Sequence, residues 1–96
     1  MKVIIKAPEE KIGHIADIKN ELKTLQKIVG GYIEVIPLDE TTVCICNEEG
    51  KLLNLEPNFN FRYDIICGTV IICSVKYEEF EDCQWSLEKW KKFIRA

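Results

Sequence analysis

The stretch LQKIVGGYIEVIPL, residues 25–38, contains two hydrophobic patterns separated by a pair of glycines. Before the glycines, apolar residues recur at helical spacing; after them, apolar and polar residues alternate as in a strand. Glycine adopts positive φ without a Cβ penalty, so Gly30 is well suited to end a helix in the left-handed region. The stretch therefore predicts a helix that is followed at once by a strand.

The same glycine pair could instead belong to a phosphate-binding loop. Such loops place glycines before a helix, where free N–H groups and the positive end of the helix dipole face the anion. Gly30 and Gly31 follow the predicted helix, where the dipole end is negative and the carbonyls are unpaired. Their position favours a helix end over a ligand cradle.

The rest of the chain predicts an α+β fold: a single small domain, residues 1–96, with a mostly antiparallel sheet of five or six strands. One central helix, with Asn20 as its N-cap, and a short C-terminal helix after Ser86 are expected to pack with this sheet. The segment 12–18 is either a strand or irregular, and 56–64 reads as a loop. The predicted strands are Lys2–Lys6, 32–38, 42–46, 51–55 and 64–75, and the predicted helices are 20–29 and Leu87–Arg95. A turn at 47–50, in which Gly50 takes positive φ, is expected before the strand 51–55.

Composition excludes several functional classes. The formal net charge of −3 argues against general nucleic-acid binding, which depends on neutralising phosphates. The longest apolar stretch, around 65–73, is about half of the roughly 20 residues that a membrane span needs. The opening MKVIIKAPEE does not resemble a signal peptide. We therefore expect a cytoplasmic protein, in the cell that makes it, that does not bind membranes.

The five cysteines and the single histidine do not indicate a reactive site. An odd number of cysteines, most of them in strand-like apolar runs, is typical of reduced, buried thiols. The C-x-C spacing of Cys44 and Cys46 is not that of a zinc site, which usually takes C-x₂₋₄-C from a turn. His14 has no partner in the sequence pattern that would make it part of a catalytic pair. The sequence predicts no catalytic residue, no metal and no cofactor.

Polar residues concentrate in and around two consecutive turns, at 47–50 and 56–64. Asparagines and an arginine beside aromatic residues can form a pocket for a small molecule or a protein-contact surface. Alternatively, Asn47 and Asn58 simply build turns. The predicted ligand-binding residues are Tyr32, Glu34, Asn47, Asn54, Asn58, Arg62, Asp64 and Thr69.

The C-terminal helix carries Trp85 and Trp90 beside four basic residues. Such a helix could lie on a membrane surface or on nucleic acid. A short helix with tryptophans at helical spacing is more often part of a core, and this interpretation is favoured.

Three motifs connect the sequence to a family: LQKIVGGYIEV, NEEGKL and a P-N step followed by DIICGT. Over residues 22–73 the chain resembles a domain-of-unknown-function family of small proteins found in phages and mobile elements, mostly of Firmicutes. The resemblance implies genomic context and no catalytic residues.

The resemblance, with the size and charge of the chain, leads to three functional hypotheses. The first is a non-enzymatic accessory binding protein of a phage or mobile element, an antagonist of bacterial defence that sequesters a small, nucleotide-like ligand. The second is an inhibitor that binds a host or defence protein directly, through Phe59, Phe61 and the acidic segment 78–82. The third is a small enzyme whose site lacks a recognised motif. A homo-oligomer is compatible with each hypothesis.

Overall fold

The computed structural model describes residues 1–95, which form two strands, a helix, six further strands and a second helix, in that order. The strands are β1 (Lys2–Lys6), β2 (His14–Asp17), β3 (Ile33–Pro37), β4 (Thr42–Asn47), β5 (Pro57–Phe61), β6 (Asp64–Cys67), β7 (Val70–Lys76) and β8 (Glu79–Glu81); the helices are α1 (Leu22–Val29) and α2 (Leu87–Arg95).

Six of these strands form one antiparallel sheet in the order β2-β1-β7-β4-β3, with β8 paired to β7 outside this path. The central strand β7 places Ile72 opposite Ile4 of β1 on one side and opposite Cys44 of β4 on the other. Strands β5 and β6 form a separate two-stranded hairpin. The predicted α+β class and the predicted antiparallel sheet are confirmed.

Apolar side chains cover both faces of the main sheet. On one face, Leu25 and Val29 of α1 pack against β-strand residues such as Ile71. On the other face, Trp90 of α2 and Phe59 of the hairpin belong to the same buried cluster as Ile72 of β7. Strands β4 and β7 are covered on both faces, which explains their nearly continuous apolar sequences.

Helix α1 ends as predicted, at its junction with β3. Gly30 has φ +82° and donates its N–H to the carbonyl of Gln26 at 2.8 Å, so it ends the helix in the left-handed region. At the other end, Glu21 rather than Asn20 is the N-cap, and its side chain makes no capping hydrogen bond. The Asn20 amide instead donates to the carbonyl of Phe80 at 2.7 Å, a long-range contact that local sequence does not reveal.

Residues 51–55 are not the predicted strand but a series of turns. The N–H of Leu53 bonds to the carbonyl of Glu49, and the N–H of Leu55 bonds to the carbonyl of Gly50, both at 2.9 Å. Asn54 has φ +59°, whereas Gly50, predicted at positive φ, is not among the positive-φ residues. The strand lies further on, at β5, within the predicted loop 56–64.

The predicted long strand 64–75 is two strands that belong to different sheets. The chain changes direction at Gly68, which has φ +85°. A Cβ at this position would lie 2.8 Å from Cδ1 of Leu55, so a larger residue would also collide with the preceding turn. Gly68 thereby separates β6 of the hairpin from β7 of the main sheet.

The C-terminal helix has its predicted bounds and its predicted start. The Oγ of Ser86 accepts a hydrogen bond from the N–H of Lys89 at 3.1 Å, which confirms Ser86 as the N-cap. Trp90 is fully buried, and Trp85 is nearly so. The tryptophans are core residues, as the favoured interpretation of this helix requires.

Candidate functional site

A cavity of about 550 Å³ lies where the β5–β6 hairpin, helix α2 and the start of the β1–β2 connection meet. Its volume is in the range of small-molecule sites, roughly 300–1,000 Å³. The lining residues are Lys6, Lys11, Ile12, Pro57, Asn58, Phe59, Asn60, Ile65, Lys91, Ile94 and Arg95.

The charged residues in this lining are all positive. Lys6 and Lys11 come from the N-terminal part of the chain, while Lys91 and Arg95 lie one helical turn apart on α2. Within residues 1–95, no Asp or Glu lines the cavity. Four cations around one concave space create a positive potential that attracts anions, although the whole chain has a net charge of −3.

Lys6 is the most buried of these cations, with 4% of the residue exposed. Its Nζ donates to two oxygens of Asn58, the side-chain Oδ1 at 2.9 Å and the backbone carbonyl at 3.3 Å. Burial lowers the pKa of Lys6, opposed by the charges of Glu10 and Glu9. Glu10 is engaged elsewhere, accepting from the N–H of Ala7 at 2.9 Å and contacting Nδ1 of His14 at 2.8 Å.

Asn58 connects the hairpin to the main sheet. Its Nδ2 donates to the backbone carbonyls of Lys6 and Gly68, each at 2.8 Å. Both amide hydrogens are used by these bonds, and Oδ1 accepts from Lys6. Asn58 lines the cavity as predicted for a ligand-binding residue, but its polar atoms position Lys6 and the hairpin.

The apolar part of the lining rests on the aromatic core. Phe59 packs edge-on against Trp90, with ring centroids 5.2 Å apart. The indole Nε1 of Trp90 donates to the carbonyl of Ile12 at 2.8 Å, which fixes the β1–β2 connection beside the cavity. Ile12 and Ile94 are both half-buried there. The cavity therefore combines cations with apolar walls on a rigid support.

A smaller cavity, of about 170 Å³, brings three of the predicted residues together: Glu34, Asn47 and Asp64. Asp64 forms an ion pair with Lys51, and this hydrogen bond lowers the pKa of the Asp64 carboxyl. Asn47 is 5% exposed, and both ends of its amide have partners in the chain. The space is small, and the polar groups of Asp64 and Asn47 are already bonded within the chain.

The other four predicted residues line neither cavity. Tyr32 is exposed just before β3, Asn54 lies in the turns after β4, and Thr69 lies between β6 and β7. Arg62 has φ +58° at the tip of the hairpin, and its guanidinium lies 5.1 Å from the ring centroid of Phe61. The eight predicted residues thus do not form one site.

The five cysteines are free thiols, three buried and two half-buried. Burial raises the pKa of Cys73 to about 12. The pKa of Cys44 is also raised, by its hydrogen bond with Cys46 and by burial. Nucleophilic chemistry needs a thiolate, which the surroundings of Cys44 and Cys73 disfavour. The hydrogen bond with Cys44 lowers the pKa of Cys46, but this thiol is buried. Among residues 1–95, no group of three or more His, Cys, Asp or Glu side chains is arranged to hold a metal ion.

Comparison with known proteins identifies the family. A family model for DUF3846, a domain of unknown function, matches residues 1–95. The chain belongs to this family. The resemblance to a domain-of-unknown-function family is confirmed, and the match extends beyond residues 22–73 to include the basic C-terminal helix of this DUF3846 domain. No curated protein and no solved structure matches the chain.

The helices of this DUF3846 domain are short. None of those in residues 1–95 combines the length and the apolar character needed to cross a bilayer.

Proposed function

We propose that this protein is a non-enzymatic accessory binding protein of a phage or mobile element, and that it sequesters a small, anionic, nucleotide-like ligand. The observation that carries the proposal is the cavity of about 550 Å³, which four cations line without a carboxylate among residues 1–95. An antagonist of bacterial defence would act in this way on a nucleotide signal. That part of the proposal rests on the genomic context implied by the resemblance.

The cavity offers two kinds of contact to such a ligand. Lys91 and Arg95 supply cations at the α2 side, and Arg can bind phosphate oxygens in a bidentate manner. Phe59, Ile12 and Ile94 supply apolar surface for a flat ring. A nucleotide has a ring and a phosphate at the two ends of one small molecule, so its chemistry matches this lining.

Binding without catalysis is supported by the environments of the nucleophilic side chains. The thiols of Cys44 and Cys73 have raised pKa values, and neither lines the cavity. His14 pairs with Glu10 at 2.8 Å and also lies outside the lining. Sequestration needs affinity only, and the cavity supplies charge and apolar area for it.

The alternative hypothesis, inhibition of a host protein by direct contact, is favoured by exposed apolar side chains near the hairpin. Leu52 is 84% exposed and Tyr63 is fully exposed. The aromatic residues predicted for this role are less accessible than Leu52 and Tyr63. Phe59 is buried, and the ring centroid of Phe61 lies 5.7 Å from that of Phe93. A pull-down from host lysate that recovers the same protein with wild type, but not with Leu52→Ser, would support this alternative.

The experiment for the ligand hypothesis measures thermal shifts and isothermal titration with nucleosides, nucleoside monophosphates and cyclic nucleotides. Lys91→Ala is the test variant, and Lys92→Ala is its matched control, because Lys92 is the next residue, is exposed and does not line the cavity. We expect Lys91→Ala to weaken binding roughly tenfold, the effect of losing one charge-assisted hydrogen bond of about 1.5 kcal/mol.

The control variant should bind within about twofold of wild type, since removal of an exposed charge outside a site has little effect on affinity. The proposal fails if no compound of the panel shifts the melting temperature. It also fails if the two alanine variants weaken binding equally, because the effect would then come from net charge and not from the cavity.

A further inference from the structure

Lys6 is a buried cation in the wall of the cavity. It is the last residue of β1, paired with Val70 of β7, and 4% of the residue is exposed. Among residues 1–95, its Nζ hydrogen-bonds to the two oxygens of Asn58, an uncharged residue, and to no other group. Within residues 1–95, Lys6 forms no ion pair.

Such an arrangement is unusual, because buried lysines are rare unless they are paired with a charge. An ammonium group has three N–H donors, and the contacts of Lys6 use at most two of them. A methionine or leucine would fill the same space without the cost of desolvating a charge. Because Lys6 lines the cavity, a ligand bound there could supply a negative charge beside it.

We propose that Lys6 is the phosphate-binding residue of this cavity, and that the ligand carries a phosphate monoester. The inference rests on the proposed function and specifies its ligand class. The terminal phosphate supplies the counter-charge of Lys6 Nζ, while the ring of the ligand lies against the apolar wall.

The charges around Lys6 favour a dianion over a monoanion. On the β1–β2 connection, Glu9 and Glu10 oppose an anion, and Glu10 is already bonded to Ala7 and His14. The cations of the lining act in the other direction: Lys11 from the same connection, and Lys91 and Arg95 from α2. A monoester has a second ionisation near pH 6 and carries close to two charges at pH 7. A cyclic or other diester carries one, so it gains less from each cation.

The test compares adenosine and guanosine 5′-monophosphates with their 3′,5′-cyclic monophosphates and their nucleosides, by isothermal titration at pH 7.5. We expect wild type to bind the better monoester at least tenfold more tightly than its cyclic form. Lys6→Met should lose this preference, Lys6→Arg should retain most of it, and Lys92→Met, at an exposed position outside the cavity, should leave it unchanged.

A second measurement uses wild type alone and does not depend on how a variant folds. Between pH 7.5 and 5 the monoester takes up its second proton, so its affinity should fall while that of the cyclic nucleotide changes little. His14 is exposed, paired with Glu10 and outside the lining of the cavity.

The results separate this inference from the proposed function. If Lys6→Met binds the monoester within twofold of wild type, or if the monoester and the cyclic form show the same pH dependence, Lys6 is not the phosphate-binding residue. The proposed function survives that result provided that Lys91→Ala still weakens binding. If wild type binds none of these compounds, the proposed function fails, and the inference fails with it.

Discussion

Replacement of Asn47 by alanine should destabilise the protein substantially, because this side chain joins α1 to the turn after β4. Its Nδ2 donates to the carbonyl of Val29 at 3.1 Å, and its Oδ1 accepts from the N–H of Glu49 at 2.8 Å. Asn47 is 5% exposed and Val29 is 3% exposed, so water cannot easily replace the first bond. The second bond lies nearer the surface, since Glu49 is exposed.

The expected magnitude follows from these two bonds. A buried polar group left without a partner costs about 1–3 kcal/mol, and a solvated one costs about 0.5–1 kcal/mol. The sum for Asn47→Ala is roughly 1.5–4 kcal/mol, a large part of the 5–15 kcal/mol that stabilises a typical domain. For a domain of this size, each kcal/mol lowers the melting temperature by about 4–8 °C. For the middle of the energy range, about 2.5 kcal/mol, we therefore expect a decrease of roughly 10–20 °C.

Circular dichroism melts and urea titrations with an unchanged m-value would measure this loss. Asn60→Ala is the control, because Asn60 is an exposed asparagine of β5, and it should change stability by less than about 0.5 kcal/mol. At 10 °C the folded Asn47→Ala protein should bind nucleotides as wild type does. A decrease below 3 °C, or a loss of affinity without a loss of stability, would refute the structural role and favour the predicted role as a ligand-binding residue.

Three further predictions concern stability. Gly31→Ala places a Cβ 2.9 Å from Nδ2 of Asn47, so it should lower the free energy of unfolding by about 1–2 kcal/mol. In the Asn47→Ala background the loss should be much smaller, and equal losses in both backgrounds by urea titration would contradict the contact. Trp90→Phe removes the hydrogen bond to the Ile12 carbonyl and opens a void in the core, so the free energy of unfolding from urea titration should fall by about 2 kcal/mol. A decrease below about 0.5 kcal/mol would contradict the contribution of Trp90 to the core. Partial burial raises the pKa of Asp39, but hydrogen bonds from two backbone N–H groups and an indole N–H outweigh it and lower the pKa. A carboxyl whose pKa is lower in the folded state stabilises the protein above its unfolded-state pKa, about 3.9, and this stabilisation is lost as the pH falls through the folded-state pKa. The melting temperature of Asp39→Asn should therefore decrease less than that of wild type between pH 6 and pH 3. Equal decreases would contradict this role of Asp39.

Elements encoded by local signals could be predicted from the sequence. Gly30 ends α1 because glycine adopts the left-handed conformation without help from residues elsewhere in the chain. Ser86 begins α2 because its hydroxyl reaches an N–H three residues later. The strand of residues 32–38 was predicted within one residue of β3 at each end, since it alternates and is rich in β-branched residues. Each of these signals acts over a few residues.

The segment 51–61 was predicted wrongly because its local pattern and its tertiary environment disagree. Leu52, Leu53 and Leu55 suggest a strand, yet Leu52 and Leu53 are exposed in turns. Pro57 suggests a loop, yet it begins β5. A proline is tolerated there because β5 pairs only with β6, so one of its edges needs no backbone donor.

The cavity could not be predicted, because its cations come from opposite ends of the chain. Lys6 is the polar end of the predicted strand Lys2–Lys6, and the positions of Lys91 and Arg95 indicate cations that complement the dipole of α2. No local pattern relates these positions. Only the packing of the hairpin and α2 on the same face of the sheet brings the four cations around one space.

That packing also makes ligand binding measurable through stability. A two-stranded hairpin is marginal by itself, and this one depends on Asn58 and on the contact between Phe59 and Trp90 for its attachment. A ligand that contacts Lys6 of β1, Asn60 of β5 and Lys91 of α2 would connect all three elements, and it would do so only in the folded state. At a concentration of 100 times its Kd, such a ligand adds about 2.7 kcal/mol to the free energy of unfolding. For a domain of this size that corresponds to an increase of roughly 10–20 °C in melting temperature, which is large enough for a negative result with the nucleotide panel to count against the proposal.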